Sequence, residues 1–209
     1  MQEVLESIHS GQVDILVGTQ MLAKGHHFPN VTLVGILDAD GGIFSADFRA
    51  AERMAQLFIQ VSGRAGRSTR AGRVILQTHH PDHPLLRTLI TEGYSNFAES
   101  ALEERQVVGL PPFSFQALIR AEAQRPSIAQ QFLHQAKDVC PQNAHLRLYG
   151  PVAAPLERRA GWVRAQLLLE SLDRARLHEC LRNWLPKIEA LKAARQVRWS
   201  LDVDPLDML

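Results

Sequence analysis

Gln60, Arg64 and Arg67 stand in the run Gln60-Val61-Ser62-Gly63-Arg64-Ala65-Gly66-Arg67, two Gly-Arg pairs behind a glutamine. That spacing suits an anion. Glycine lets the backbone approach a ligand closely, and arginine is a permanently charged, forked donor that matches phosphate oxygens. Residues three and four apart are neighbours on a helix surface, so Gln60, Arg64 and Arg67 share one side of a helical turn. The alternative is a solvated, arginine-rich loop. Against it stands the helical periodicity of Met54-Ala55-Gln56-Leu57-Phe58-Ile59, which fixes the arginines at a helix end.

A second set is carried by Gly150-Pro151-Val152-Ala153-Ala154-Pro155-Leu156-Glu157-Arg158-Arg159-Ala160-Gly161-Trp162-Val163-Arg164. Arg158, Arg159 and Arg164 supply phosphate contacts and Trp162 a stacking face, a combination used on single-stranded nucleic acid and at junctions. The other reading is a surface loop whose tryptophan packs on a sheet. Further on, Arg174, Arg176 and His178 lie in the first turns of a helix opened by Ser171 and Asp173. Cations there oppose the helix dipole, so an anionic partner would complete their account; solvated surface charge is the alternative.

Histidines and carboxylates offer less. His26-His27 are adjacent and lack an accompanying thiol or carboxylate, and Pro81 and Pro84 break any helix that would gather His79, His80 and His83. No metal site is expected. Asp38 and Asp40 close a strand and are read as holding its loop or orienting the arginines.

The elements that position these residues follow from periodicity. A short helix over residues 2 to 10 ends at Gly11, and Val13-Asp14-Ile15-Leu16-Val17 reads as a buried strand. Val31 to Leu37 reads as a parallel strand buried on both faces, and Arg73 to Gln77 as another. Asp82 is expected to cap a helix from Leu85 to Leu89. A helix from Ser95 to Gln106 carries Phe97, Ala101 and Leu102 on one face. Gly109-Leu110-Pro111-Pro112-Phe113 is a stiff linker, dividing the chain into residues 1–109 and 110–209. Beyond it come a strand (Phe115 to Glu122), a helix (Ser127 to Val139), strands (Arg147 to Tyr149 and Val163 to Leu169), a helix (Asp173 to Leu191) and a strand (Val197 to Val203). That is βαββαβ, the ferredoxin-like order.

Composition bounds these readings. The 209 residues suffice for two small domains, and the net charge of +1 means that nucleic-acid binding must rest on local basic patches. Cys140 and Cys180 fit no metal spacing and read as buried, inert thiols of a reducing compartment. No apolar run reaches membrane-span length and the first residues lack a signal-peptide pattern, so a cytoplasmic protein is expected.

The glutamine and Gly-Arg pairs resemble the Q-x-x-G-R-x-G-R signature of superfamily 2 helicases. Gly18-Thr19-Gln20-Met21-Leu22-Ala23-Lys24-Gly25 resembles their motif V. More specifically, Ser45-Ala46-Asp47-Phe48-Arg49-Ala50-Ala51-Glu52-Arg53, Lys24-Gly25-His26-His27-Phe28-Pro29 and the closing Arg198-Trp199-Ser200-Leu201-Asp202-Val203-Asp204-Pro205 resemble the primosomal replication-restart helicases.

The resemblance implies an α/β chain: a partial second RecA-like lobe and a ferredoxin-like C-terminal domain that binds DNA and partners. It implies arginine fingers at Arg64 and Arg67 with Gln60 beside them, ATP near Gly25 and Gly63, and a nucleic-acid phosphate at Thr19. Arg158, Arg159, Trp162 and Arg164 become its DNA contacts. Arg174, Arg176 and His178 become the receivers of single-stranded DNA-binding protein, whose tail is acidic. ATP with Mg, forked and single-stranded DNA, and other primosome proteins are the remaining implied ligands. The resemblance places a phosphate loop and a zinc-binding cysteine cluster outside this sequence, so this chain alone is expected to be inactive. A non-enzymatic nucleic-acid-binding module remains the alternative.

Overall fold

The computed structural model describes residues 6–8, 10–18, 31–45, 47–62, 72–141 and 144–208. They form two compact units, Met1–Leu102 and Glu103–Leu209.

In the first unit β1 (Leu33–Ile36) and β2 (Arg73–Leu76) pair in parallel, from Leu33↔Arg73 to Ile36↔Leu76. A parallel pair needs a crossover, and α1 (Asp40–Ile43) and α2 (Ala50–Ser62) lie within it. Asp47 anchors the start of α2: its buried carboxylate accepts the Arg49 amide at 2.9 Å and pairs with the Arg53 guanidinium. Met54 and Ala55 of α2 then meet Leu85, Leu86 and Leu89 of α3 (Pro84–Thr91) and Phe97 of α4 (Tyr94–Val108). Burying such aliphatic and aromatic side chains is worth about 1.5–3 kcal/mol each. Gly42 permits α1 to approach α2, because a Cβ there would lie 2.7 Å from that of Met54.

Several sequence expectations need correction here. Val13 to Val17 is not a strand; Ile15 is 80% and Val17 84% exposed. An apolar run becomes a strand only where an edge pairs with it, and the first unit's described sheet consists of β1 and β2. That two-stranded sheet also leaves Leu33 and Leu37 exposed rather than covered on both faces. Asp82 does not cap α3. His83 holds the N-cap position, Pro84 takes the first turn where its missing N–H costs nothing, and Asp82 lies 3.9 Å from Arg87. On α4, Phe97 is buried but Leu102 is exposed.

The second unit contains β3 (Phe115–Ala123), α5 (Pro126–Asp138), β4 (Leu146–Arg159), β5 (Trp162–Ser171), α6 (Arg174–Glu189) and β6 (Arg198–Val203). Its sheet runs β4-β5-β3-β6 with every neighbour antiparallel. Alternation sends Ile119, Ala121, Leu167 and Leu169 into one core with Phe132 and Leu133 of α5 and Leu177 and Trp184 of α6. The Trp184 indole also donates to the Ala136 carbonyl at 2.8 Å. Asp173 caps α6, accepting the Ala175 and Arg176 amides at 2.8 and 3.3 Å.

The basic stretch before Trp162 is strand rather than loop. β4 continues to Arg159 through register shifts between Tyr149 and Val152 and between Ala153 and Arg158. Gly150, at φ 106, makes the first possible, since a Cβ would stand 3.0 Å from the Gln166 carbonyl. Ala160 and Gly161, at φ 48 and 82, form the two-residue turn into β5.

Candidate nucleic-acid interface

Directly opposed residues of an antiparallel pair share a face, and on the face of the second sheet turned from the helices this register gathers charge. Arg164 of β5, Glu122 of β3 and Arg198 of β6 form one row. Trp162 lies two residues from Arg164 and opposite Arg159. The Arg198 guanidinium sits 4.2 Å from the centre of the Trp162 ring, a cation–π contact. Arg159 and Arg198 are exposed; Arg158, also exposed, opposes Val163 and so lies on the other face of the strand end. Arg125, just past β3, and Arg195, just before β6, are exposed at the same end of the sheet. Electrostatically this end can receive a polyanion, and the half-buried indole adds an aromatic surface.

Arg164 is different. Its side chain is 10% exposed and its Nε lies 3.2 Å from Glu122. That burial and pairing suit a strut between β5 and β3 better than the phosphate contact read from sequence. Sequence reasoning singled out neither Glu122 nor Arg198 for this patch, because the β3–β5 and β3–β6 registers join residues far apart in the chain. The only available signal was that Arg198 opens a strand.

The opposite end of the sheet is built around a carboxylate. Glu170, buried, accepts from the Gln116 amide at 3.0 Å, the Tyr149 hydroxyl at 3.2 Å and the Ser114 hydroxyl at 3.5 Å. Between the two ends Arg120 meets Asp202 at 3.0 Å and donates to the Asp207 carbonyl. The face therefore runs from a saturated carboxylate to exposed arginines.

Arg174 and Arg176 find anions within the chain. Arg174 lies 2.8 Å from Asp204 and 4.9 Å from the centre of the Phe115 ring, and Arg176 lies 3.5 Å from Asp173. The dipole argument for an external anion is thus met in part by the chain itself. Arg174 nevertheless remains 59% exposed, and His178 is exposed.

In the first unit, Gln60 is described on α2. Thr19, Gly25, Gly63, Arg64 and Arg67 lie outside the described residues, as do His26 and His27. At the carboxyl ends of β1 and β2, where such sheets bind ligands, Asp40 accepts the Thr78 hydroxyl at 2.5 Å and the His79 amide at 2.9 Å. Those bonds, the hydroxyl first, hold its carboxyl below the usual range. Asp38, at φ 54, accepts the Gly41 amide at 3.2 Å. Both acids hold the loop. His80 and His83 set their rings edgewise to Phe44, with centroids 4.7 and 5.6 Å away.

Comparison with known families agrees with the division into two units. The helicase conserved C-terminal domain matches residues 1–69, and the primosomal protein N C-terminal domain matches residues 106–206. A helicase C-terminal segment followed by a primosomal-protein domain is the class to which the chain belongs. Replication restart protein PriA of Haemophilus influenzae is 50% identical over 210 residues, covering 100% of this chain and 28% of that protein. PriA of Bacillus subtilis is 35% identical over 212 residues (100% and 26%), and PriA of Treponema pallidum 35% over 215 (100% and 32%). In family terms the chain is PriA-like along its whole length and spans under a third of each of these relatives. Among solved structures the de novo designed protein Foldit4 covers 45% of this chain and 99% of its own, at 13% identity and a TM-score of 0.31, too low to carry an argument.

Proposed function

We propose that the chain serves as the C-terminal portion of an ATP-dependent, 3′-to-5′ superfamily 2 DNA helicase that restarts replication at stalled forks by primosome assembly. The observation that carries the DNA-binding part is the gathering of exposed Arg159 and Arg198 around Trp162, with exposed Arg158 next along β4, at one end of the sheet. The reading takes the second unit as a ferredoxin-like module, with the functional division at 1–109 and 110–209; its β4-β5-β3-β6 order supports that fold. Phosphates meet the arginines, and an unpaired base stacks against Trp162.

On this reading Arg64 and Arg67, with Gln60, stabilise charge on the transferring phosphoryl group of ATP, and Gly25 and Gly63 let the backbone approach the nucleotide. Arginine fingers are worth about a thousandfold to a hundred-thousandfold in such reactions. ATP with Mg supplies the phosphoryl chemistry when bound, largely through a further lobe, and zinc belongs to the longer protein. The carboxylates at the carboxyl ends of β1 and β2 are committed to their own loop, which accords with Mg being held elsewhere. Thr19 contacts DNA phosphate. Arg174, with Arg176 and His178, receives the acidic tail of single-stranded DNA-binding protein by exchange with Asp204. The exposure of that pair, 59% and 44%, makes such an exchange inexpensive.

The test is binding of forked and single-stranded DNA by this chain, together with phosphate release. Binding without ATP hydrolysis is expected. DNA-dependent hydrolysis by this chain that disappears in Arg67→Ala refutes the reliance on another lobe, and absence of DNA binding refutes the role given to the basic end.

A further inference from the structure

Cys140 lies in the turn that follows α5, and Cys180 lies within α6. Folding brings their Sγ atoms to 3.9 Å. Both are free thiols; Cys180 is buried and Cys140 partly exposed. Cys140 also lines an open surface cavity of about 710 Å³ with Lys137, Asp138, Leu146 and Leu148. A small reagent therefore has a route to Cys140, whose Sγ touches that of Cys180.

Three facts narrow what such a pair can do. Among the described residues no group of three or more His, Cys, Asp or Glu side chains could hold a metal ion, so the four-ligand site of structural zinc is not available. Cys140 lies beyond the last residue of α5, its amide bonded to the Lys137 carbonyl at 3.1 Å, so its side chain can swing without breaking a turn of helix. Closing the gap to a covalent bond asks for roughly 2 Å of sulfur movement.

The two thiols are also inequivalent. Either sulfur can donate in their contact, and Cys140 also lies 3.8 Å from the Pro141 carbonyl; the contact lowers the Cys180 thiol, with Lys187 as a lesser contribution. The same hydrogen bond, followed by burial, pushes the Cys140 thiol up. Contact between the sulfurs lets one act as thiolate while its neighbour holds a proton.

We propose that Cys140 and Cys180 are a modification site: a reversible dithiol–disulfide couple oxidised by hydrogen peroxide. One thiolate of the pair attacks one peroxide oxygen and the O–O bond breaks. The departing hydroxide takes up a proton as water, leaving a sulfenic acid on that sulfur. The second Sγ then attacks it, the S–O bond breaks, and the hydroxyl leaves with the second thiol's proton as another water. The two thiols lose two electrons and two protons, and one peroxide becomes two waters. The bond ties the end of α5 to α6, the helix whose first turn carries Arg174.

The test is mass spectrometry of the full chain after peroxide exposure, without reductant. Expected are a loss of two hydrogen masses, a proteolytic peptide pair joining Cys140 to Cys180 within one chain, and return of both thiols with dithiothreitol. In Cys140→Ser and in Cys180→Ser the loss of two hydrogen masses should vanish, and a sulfenic acid on the remaining cysteine should be trapped by dimedone. Circular dichroism establishes that each variant is folded before exposure. Interchain disulfides, a sulfinic acid at Cys140, or two unchanged thiols in the native chain would each overturn the proposal.

Discussion

Removing Arg158 and Arg159 should alter the salt dependence of DNA binding, whereas removing Arg164 should alter stability. Among the described residues neither Arg158 nor Arg159 is ion-paired, and both are exposed. Each phosphate neutralised on single-stranded DNA contributes about 0.7 to the slope of log affinity against log salt. Two lost contacts lower the slope by about 1.4, so a fourfold rise in salt should weaken native binding about sevenfold more than it weakens the double alanine variant. Arg164 lies 3.2 Å from Glu122 with 10% of its side chain exposed. Its replacement by alanine should leave the slope unchanged and cost about 1.5–3 kcal/mol of folding free energy, the range for a hydrogen bond to a charged partner. That estimate is held below the cost of breaking a fully buried pair because Glu122 is 35% exposed. Fluorescence anisotropy with a labelled single strand over a salt series gives the slopes, and urea denaturation gives the stabilities. An unchanged slope in the double variant, or an equal slope change in a folded Arg164→Ala protein, would refute the reasoning.

Replacing Trp184 by phenylalanine deletes the donor to the Ala136 carbonyl and should destabilise the second unit by about 2 kcal/mol, read as a lower urea midpoint. Asp173→Ala removes the cap of α6 and should cost about 1 kcal/mol; an unchanged midpoint would show that another group caps the helix. Ala160→Gly exchanges a left-handed penalty of about 1–2 kcal/mol for a flexibility cost of about 0.4–1 kcal/mol. Since Ala160 stands at φ 48, a net gain of about 0.5 kcal/mol is expected. The Asp40 carboxyl is held below its ordinary value by Thr78 and then His79, so its contribution is present above the ordinary carboxylate range and fades as pH falls through the lowered one. Hydrogen exchange at the His79 amide should accelerate in acid relative to its intrinsic rate, and Asp40→Asn should remove that dependence.

The second unit was legible wherever periodicity and burial agree. The strand read as Phe115 to Glu122 spans Phe115–Ala123, and the helix read as Ser127 to Val139 spans Pro126–Asp138. β4 was not, because Gly150-Pro151 and Pro155 are punctuation in a strand. Its place in the sheet explains the tolerance: β4 is an edge strand with β5 as its neighbour, so a proline with its nitrogen turned outward removes no ladder bond. Val13 to Val17 failed for the converse reason. Their apolar pattern describes what a strand would bury, whereas strand formation also requires a paired edge.

The same distinction separates the arginines. Sequence gives Arg158, Arg159 and Arg164 equal standing, since all three are basic residues near a tryptophan. Pairing breaks that equivalence: the register brings Arg164 level with Glu122, and burial commits it to the fold. Arg158 and Arg159 occupy the edge strand, exposed beside the two-residue turn. Arg198 enters from the last strand, reaching the Trp162 ring. Glu122 lies level with both Arg164 and Arg198, so burial and the ion pair it makes with Arg164 decide which arginine is available to an external anion. That is why Glu122 does as much as the arginines themselves to shape the interface.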